Sequence, residues 1–140
     1  MADPRVARFR ELLAQAGDPA DAKAQQAYHK TTLAFCGLKT DVRRQLRREV
    51  FGARLTRADG EAAIRELWDS SCWDERISAL ALLSQIEREL TPADLPWLKQ
   101  LTRDADGWAL LDTLAFEVFG PLALRYDKAG QGAEVYGELR

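Results

Sequence analysis

The sequence contains few cysteines and no long apolar run. Cys36 and Cys72 stand 36 residues apart, without a C-x-x-C spacing, and the chain has a single histidine. This sparse pattern excludes a disulfide scaffold and predicts neither a metal site nor a cofactor. The longest apolar stretch, residues 77–86, is interrupted by polar side chains and is too short to cross a bilayer. We therefore expect a cytoplasmic protein without membrane contact.

The chain also lacks a strong excess of either charge. Its 20 basic and 22 acidic residues give a formal charge of −2, whereas nucleic-acid-binding domains are typically basic. A hydrophobic content of 46% in 140 residues is enough to build one core. We expect a single domain over residues 1–140, with a glycine-rich, loosely held tail at about residues 128–140.

Helix-forming residues dominate, and the polar–apolar alternation typical of strands is missing. The pattern predicts an all-α fold of stacked antiparallel helical pairs. Helices are expected at about residues 4–15 and 20–31, and Thr40 is expected to cap a third helix that ends near Phe51. The single histidine, His29, is expected to be a surface or capping residue.

A local repeat accompanies this helical pattern. Residues 55–59 (LTRAD) recur as residues 90–94 (LTPAD), and the same offset of 35 residues places Trp73 on Trp108. In both copies the threonine is a predicted N-cap with an aspartate three residues later. A period of this length with two helices per copy is typical of helical-repeat proteins, in which neighbouring repeats bury each other's apolar faces.

Residues 38–57 concentrate positive charge in an otherwise acidic chain. Seven basic residues stand against two acidic ones, a local charge of +5, so the remainder of the chain carries −7. Like charges four residues apart cost a helix a few tenths of a kcal/mol per pair, roughly, so these arginines require compensation. Two readings stay open: they pair with acids on neighbouring helices, or they bind an anionic partner such as phosphate.

Asp112 interrupts an apolar segment at residues 108–119. The segment is apolar nearly all round, which predicts that other helices pack on most of its sides. Asp112 is an exception to this pattern, and Trp108 lies one turn earlier on the same side. An aromatic face beside a carboxylate favours a cationic ligand. The alternative is that Asp112 pairs with an arginine of the adjacent repeat while Trp108 packs in the core.

Four short segments occur in an order that carries a family resemblance. Residues 28–30 (YHK) and 35–40 (FCGLKT) lead into the arginine-rich helix, residues 73–76 (WDER) begin another helix, and residues 108–112 (WALLD) follow. Together, over about residues 20–125, they resemble the AlkD family of DNA alkylation-repair glycosylases. The resemblance implies a fold of HEAT-like helical repeats, an α-solenoid.

The resemblance also implies an activity and a set of site residues. The last motif corresponds to the family's Trp-Asp-x-Val-Asp element, with Ala109 in place of its first aspartate. It implies that Asp112 is the catalytic carboxylate and that Trp108 contacts the damaged nucleotide. The implied reaction is hydrolysis of the N-glycosidic bond of cationic N3- or N7-alkylated purines in duplex DNA. If the chain acts on DNA in this way, the candidate contacts to the DNA backbone are Lys30, Lys39, Arg43, Arg44 and Arg47.

Such a site is chemically coherent without a general acid. Cleavage develops oxocarbenium character on the deoxyribose, which a carboxylate stabilises, and the alkylated base leaves as a neutral molecule. The family is thought to leave the lesion largely stacked while a concave surface grips the backbone.

Length is where the match departs from the family. AlkD-like proteins continue further, and their later repeats supply another arginine and a second tryptophan. We therefore expect a homologue shortened at the C-terminus, with a homodimer or another partner as one source of the missing repeats. The alternative function is a catalytically inactive HEAT-like repeat scaffold that binds DNA or protein.

Overall fold

The computed structural model describes residues 2–128, and the regular structure of this part is helical. Two 3₁₀ turns, Glu87–Glu89 and Pro92–Asp94, precede α6, and a π-helical segment, Ala115–Phe119, joins α7 to α8. Within residues 2–128, β-pairing is limited to an isolated bridge between Ala34 and Cys72. The all-α prediction is confirmed. The α-helices are α1 Pro4–Ala16, α2 Pro19–His29, α3 Thr40–Phe51, α4 Arg57–Trp68, α5 Trp73–Gln85, α6 Leu95–Asp104, α7 Trp108–Leu114 and α8 Gly120–Lys128.

Residues that flank the helices explain where several of the helices begin and end. Asp18 caps α2 by accepting hydrogen bonds from the backbone N–H groups of Ala20 and Asp21. α2 ends at His29, two residues earlier than predicted, because Lys30 adopts the left-handed conformation. The prediction that Thr40 caps α3 is wrong, since Thr40 is its first residue and Lys39 holds the cap position.

The helices stack in two layers. α3 packs against α5 and α5 packs against α7, so these three lie in a row, while α1 packs on α3 and α4, and α4 packs on α5. Core side chains such as Phe9, Leu67 and Leu83 are fully buried between these helices. Each contributes roughly 1.5–3 kcal/mol through its apolar burial. The row α3–α5–α7 is the framework of the site described below.

The 35-residue repeat is present in three dimensions. Thr56 caps α4 by accepting from the backbone N–H of Asp59, and Thr91 begins the 3₁₀ turn before α6 with a complete capping box to Asp94. The second helices of the two copies, α5 and α7, begin at the tryptophans that share the same offset. The sequence period therefore marks two successive helical pairs, as the prediction required.

The stretch of residues 108–128 is helical throughout and widens to a π-helix in its middle. One side of it is buried through Leu110, Leu114 and Val118. The prediction that helices pack on most sides of residues 108–119 is wrong, because Leu111 and Phe116 are exposed. Trp108 and Asp112 share this exposure, so their side chains are accessible to a ligand.

The predicted loose tail lies outside the described residues, apart from Lys128, which ends α8. Among residues 2–128, no helix combines the length and the apolar character that a membrane crossing requires.

Candidate active site

α7 presents Trp108 and Asp112 one helical turn apart. Gly107, at φ 107°, precedes the helix and turns the chain so that Trp108 becomes its first residue. The Trp108 side chain is half-exposed, and Asp112 is exposed. No hydrogen bond or ion pair within residues 2–128 engages the Asp112 carboxylate. The alternative in which Asp112 pairs with an arginine of the adjacent repeat is therefore absent from this part of the chain.

Trp108 is one edge of an aromatic cluster formed by five rings. His29 lies at its centre, with its ring 5.6 Å from Trp108, 4.8 Å from Trp73 and 5.3 Å from Phe35. Tyr28 meets Trp108 edge to face at 6.0 Å. Such contacts fix the ring orientations, because aromatic pairs prefer stacked or edge-to-face geometry. The members of the aromatic cluster are Tyr28, His29, Phe35, Trp73 and Trp108.

The connector between α2 and α3 holds the loop before α7 beside this cluster. The Thr31 hydroxyl donates to the backbone oxygen of Asp106 at 3.3 Å, and the Thr32 hydroxyl and backbone N–H both donate to the Asp106 carboxylate. The pKa of Asp106 is lowered, mainly by the hydrogen bond from the Thr32 hydroxyl. The carboxylate therefore stays ionised and continues to accept these hydrogen bonds. These bonds join residues about 75 positions apart and position Trp108.

Four arginines of α3 face α5 and α7 across a groove of about 380 Å³. Its lining also includes Ile77 and Ala81 of α5, Thr113 of α7 and Glu117 of the π-helical segment. Thr113 directly follows Asp112, and successive helix residues differ in direction by about 100°. Asp112 therefore lies beside the groove that the arginines line, although it is not itself one of the lining residues. The arginines are Arg43, Arg44, Arg47 and Arg48.

Arg43 differs from the other three because it is only 8% exposed. Its guanidinium lies 5.0 Å from the centre of the Trp73 ring, and its Nη1 atom is 3.4 Å from the Asp74 carboxylate. This burial leaves Arg43 little surface for a phosphate contact. Arg43 is instead placed to support the aromatic cluster from below.

Arg44, Arg47 and Arg48 make no ion pair with any acid in residues 2–128. Burial, followed by the charges of its neighbours, lowers the pKa of Arg47, and its Nε atom is buried without a hydrogen-bond partner. Guanidinium groups stay charged in proteins despite such shifts. Of the two open readings of residues 38–57, pairing with neighbouring acids describes Arg43 and Arg57, the latter with Glu61 and Asp94. Arg44, Arg47 and Arg48 have no acidic partner in the described residues.

The two lysines expected at the DNA backbone are both exposed. Lys30 terminates α2 beside the aromatic cluster, and Lys39 immediately precedes α3. Both lie in or next to the connector that leads into the arginine helix.

Sequence reasoning missed the central role of one residue in the cluster. His29 was expected at the surface or as a cap, yet it is half-buried between three rings. Burial first, and the charge of Arg43 second, lower the pKa of His29, so the neutral form is favoured. A histidine flanked by Tyr28 and followed closely by Phe35 is the signal that could have suggested a ring cluster.

Comparison with known proteins assigns the chain to a family. The sequence model of the family described as DNA alkylation repair enzyme matches residues 9–135, a span that contains the aromatic cluster, the arginines of α3 and Asp112. A search of curated proteins finds no match.

Proposed function

Since this chain belongs to the DNA alkylation repair enzyme family, we propose that it hydrolyses the N-glycosidic bond of cationic N3- or N7-alkylated purines in duplex DNA. The observation that carries this proposal is the pair on α7: an exposed carboxylate without a partner in residues 2–128, one turn from a half-exposed indole. Repair of alkylated DNA is the coarser statement that family membership supports.

The proposed chemistry assigns Trp108 to the lesion and Asp112 to the sugar. The face of an indole attracts a cation, and a purine alkylated at N3 or N7 is cationic. As the glycosidic bond lengthens, positive charge develops on the deoxyribose, and the Asp112 carboxylate stabilises it and orients the attacking water. The departing base is neutral once the bond electrons reach it, so the reaction requires no general acid.

The openness of the site supports action on a stacked lesion. Enzymes that flip a base enclose it in a deep pocket, whereas Trp108 and Asp112 stand on an exposed helix face. A duplex can approach such a face without extruding a nucleotide. The proposal therefore places the damaged base pair against α7, with the backbone directed toward α3.

The proposed backbone contacts are modified by the burial pattern. Arg44 and Arg47, with the newly recognised Arg48, supply positive charge in the groove. Lys30 and Lys39 extend it along the connector. Arg43 takes a positioning role beneath Trp73. Phosphate contacts of this kind supply most of the non-specific affinity for DNA.

A second candidate is a catalytically inactive repeat scaffold that binds DNA or protein. The net charge of −2 favours its protein-binding form, because most of the molecule repels a polyanion such as DNA. Its consequence is binding without base release.

Release of free 7-methylguanine and 3-methyladenine from alkylated duplex DNA tests the proposal. The comparison is between the unaltered chain and Asp112→Asn, an isosteric change at an exposed side chain without a partner in residues 2–128. The attraction between a carboxylate and a unit positive charge on a sugar about 4 Å away is about 1 kcal/mol in water and about 4 kcal/mol at an effective dielectric constant of about 20. The single-turnover rate should therefore fall by roughly 5-fold to 1000-fold.

Asp104→Asn is the matched control, because Asp104 is an exposed acid at the end of α6. It should release bases at the unaltered rate. Base release that persists undiminished in Asp112→Asn contradicts the assignment of the carboxylate. DNA binding without release by the unaltered chain supports the scaffold instead.

A further inference from the structure

The two cysteines, distant in sequence, meet where the connector touches the start of α5. The Ala34 backbone N–H donates to the Ser71 carbonyl oxygen at 2.9 Å, and the Trp73 backbone N–H donates to the Ala34 carbonyl oxygen at 2.8 Å. This short parallel bridge brings the Sγ atoms of Cys36 and Cys72 to 3.6 Å. Both side chains are half-buried.

A buried carboxylate completes the cluster. Asp74 is 0% exposed, and its Oδ2 atom accepts from the Cys36 backbone N–H at 2.7 Å and lies 4.0 Å from the Cys72 Sγ. The two sulfur atoms and a carboxylate oxygen lie within 4.8 Å of one another. We propose that Cys36, Cys72 and Asp74 bind one thiophilic divalent cation of the Zn²⁺ class, with a water molecule as the fourth ligand.

The sulfur separation favours a metal over a disulfide. Two thiolates at about 2.3 Å from a tetrahedral Zn²⁺ are about 3.8 Å apart. The observed 3.6 Å is close to that value, whereas an S–S bond of about 2.05 Å requires the sulfurs to approach by about 1.5 Å. Closing the gap around a cation thus needs less movement of the connector than oxidation does.

The surrounding charge matches a divalent cation. Two thiolates and one carboxylate carry −3, a divalent cation brings +2, and Arg43 brings +1 through its contact with the other Asp74 oxygen, Oδ1. The cluster becomes neutral when both thiols are deprotonated, and binding releases two protons to solvent. Thiolate ligands select Zn²⁺ over Mg²⁺ and Ca²⁺, which prefer all-oxygen sites.

Bound metal would fasten the connector to α5. Cys36 follows Phe35, and Cys72 precedes Trp73. The rings of Phe35 and Trp73 stack at 5.0 Å in the aromatic cluster. The cation therefore stiffens the support of the aromatic cluster. This role does not depend on the proposed glycosylase activity.

Titration of the reduced, metal-free protein with Co²⁺ tests the site. Thiolate ligation of tetrahedral Co²⁺ produces charge-transfer and visible d–d absorption, which should saturate at one Co²⁺ per chain and disappear on addition of Zn²⁺. Cys36→Ser and Cys72→Ser should each weaken binding by on the order of 100-fold, since each removes a ligand. Asp69→Asn, an exposed acid just before the cluster, should bind as the unaltered chain does.

Thermal unfolding provides a second readout, because a cation that binds only the folded chain raises Tm. Zn²⁺ should raise the Tm of the unaltered protein and leave that of Cys72→Ser unchanged. Absence of Co²⁺ absorption, or equal binding by the serine variants, overturns the proposal. Quantitative conversion of the thiols to a disulfide in air, at the same rate with and without Zn²⁺, also overturns it.

Discussion

Replacing Arg44, Arg47 and Arg48 together with glutamine should reduce the salt dependence of DNA binding. These side chains line the groove beside α7 and make no ion pair within residues 2–128. Their loss leaves no acid of the described fold without a partner. Arg44 and Arg48 stand four residues apart on α3, so relief of their repulsion favours the helix by a few tenths of a kcal/mol, roughly. The variant should therefore fold normally.

The magnitude follows from the number of unpaired cations. Each neutralised phosphate contributes about −0.9 to the slope of log K against log salt for duplex DNA. Three contacts thus contribute about −2.7, which corresponds to an approximately 40-fold loss of affinity between about 50 and 200 mM salt. The triple variant should lose this portion of the slope, and Arg48→Gln alone should lose about 0.9.

Fluorescence anisotropy of a labelled, undamaged duplex measures the slope at several salt concentrations. Arg103→Gln is the control, since Arg103 is exposed on α6 and does not line the groove. Its slope should equal that of the unaltered chain. An unchanged slope in the triple variant, or an equal reduction in Arg103→Gln, would refute the assignment of the groove to phosphate.

Three further predictions concern the aromatic cluster and its support. Burial lowers the pKa of His29 below its ordinary 6.5, so its contribution to the free energy of unfolding is complete above pH 6.5 and is lost as the pH falls through the lowered pKa. Between pH 7.5 and pH 5, about one unit or more either side of 6.5, urea unfolding should therefore show a smaller loss of stability for His29→Phe than for the unaltered chain. Trp108→Ala should weaken binding of a 7-methylguanine duplex by roughly 2-fold to 30-fold relative to an unmodified duplex, as the loss of a cation–π contact implies, while Trp97→Ala should not. In the same assay, Gly37→Ala should lower the free energy of unfolding by roughly 1–3 kcal/mol more than Gly52→Ala does. Both glycines have positive φ, but only at Gly37 would an added Cβ lie 2.0 Å from the Asp18 carbonyl oxygen.

Local signals made most of the fold predictable. Capping residues and prolines at helix starts act within a few residues, so α1 was placed within one residue of its end and the two threonine caps of the repeat were identified. The last residue of a helix is harder to predict from sequence, as Lys30 shows. A residue other than glycine in the left-handed conformation at a helix end has no sequence signature. The exposure of residues 108–119 was not predicted, because periodicity shows where apolar side chains lie and not whether a neighbouring helix covers them.

The site was predictable only where its members share one helix. Trp108 and Asp112 are four residues apart, so helix geometry alone puts them on one side. The aromatic cluster and the cysteine pair depend on contacts across 36 residues or more, through the connector and the bridge at Ala34. Such contacts are set by tertiary packing, which a single sequence does not encode in any local pattern.

The uneven charge of the chain bears on how DNA would meet this site. Residues 38–57 carry +5, and the rest of the chain carries −7. A polyanion is therefore attracted to the groove that Arg44, Arg47 and Arg48 line and is repelled by the acidic remainder. Even within the groove, Glu117 lines the wall opposite the arginines. A phosphate strand is therefore drawn toward α3 and away from the π-helical wall. Under the proposed function, that preference would turn the bases of a bound duplex toward α7, where the neutral form of His29 supports Trp108 without adding a charge that would repel a cationic purine.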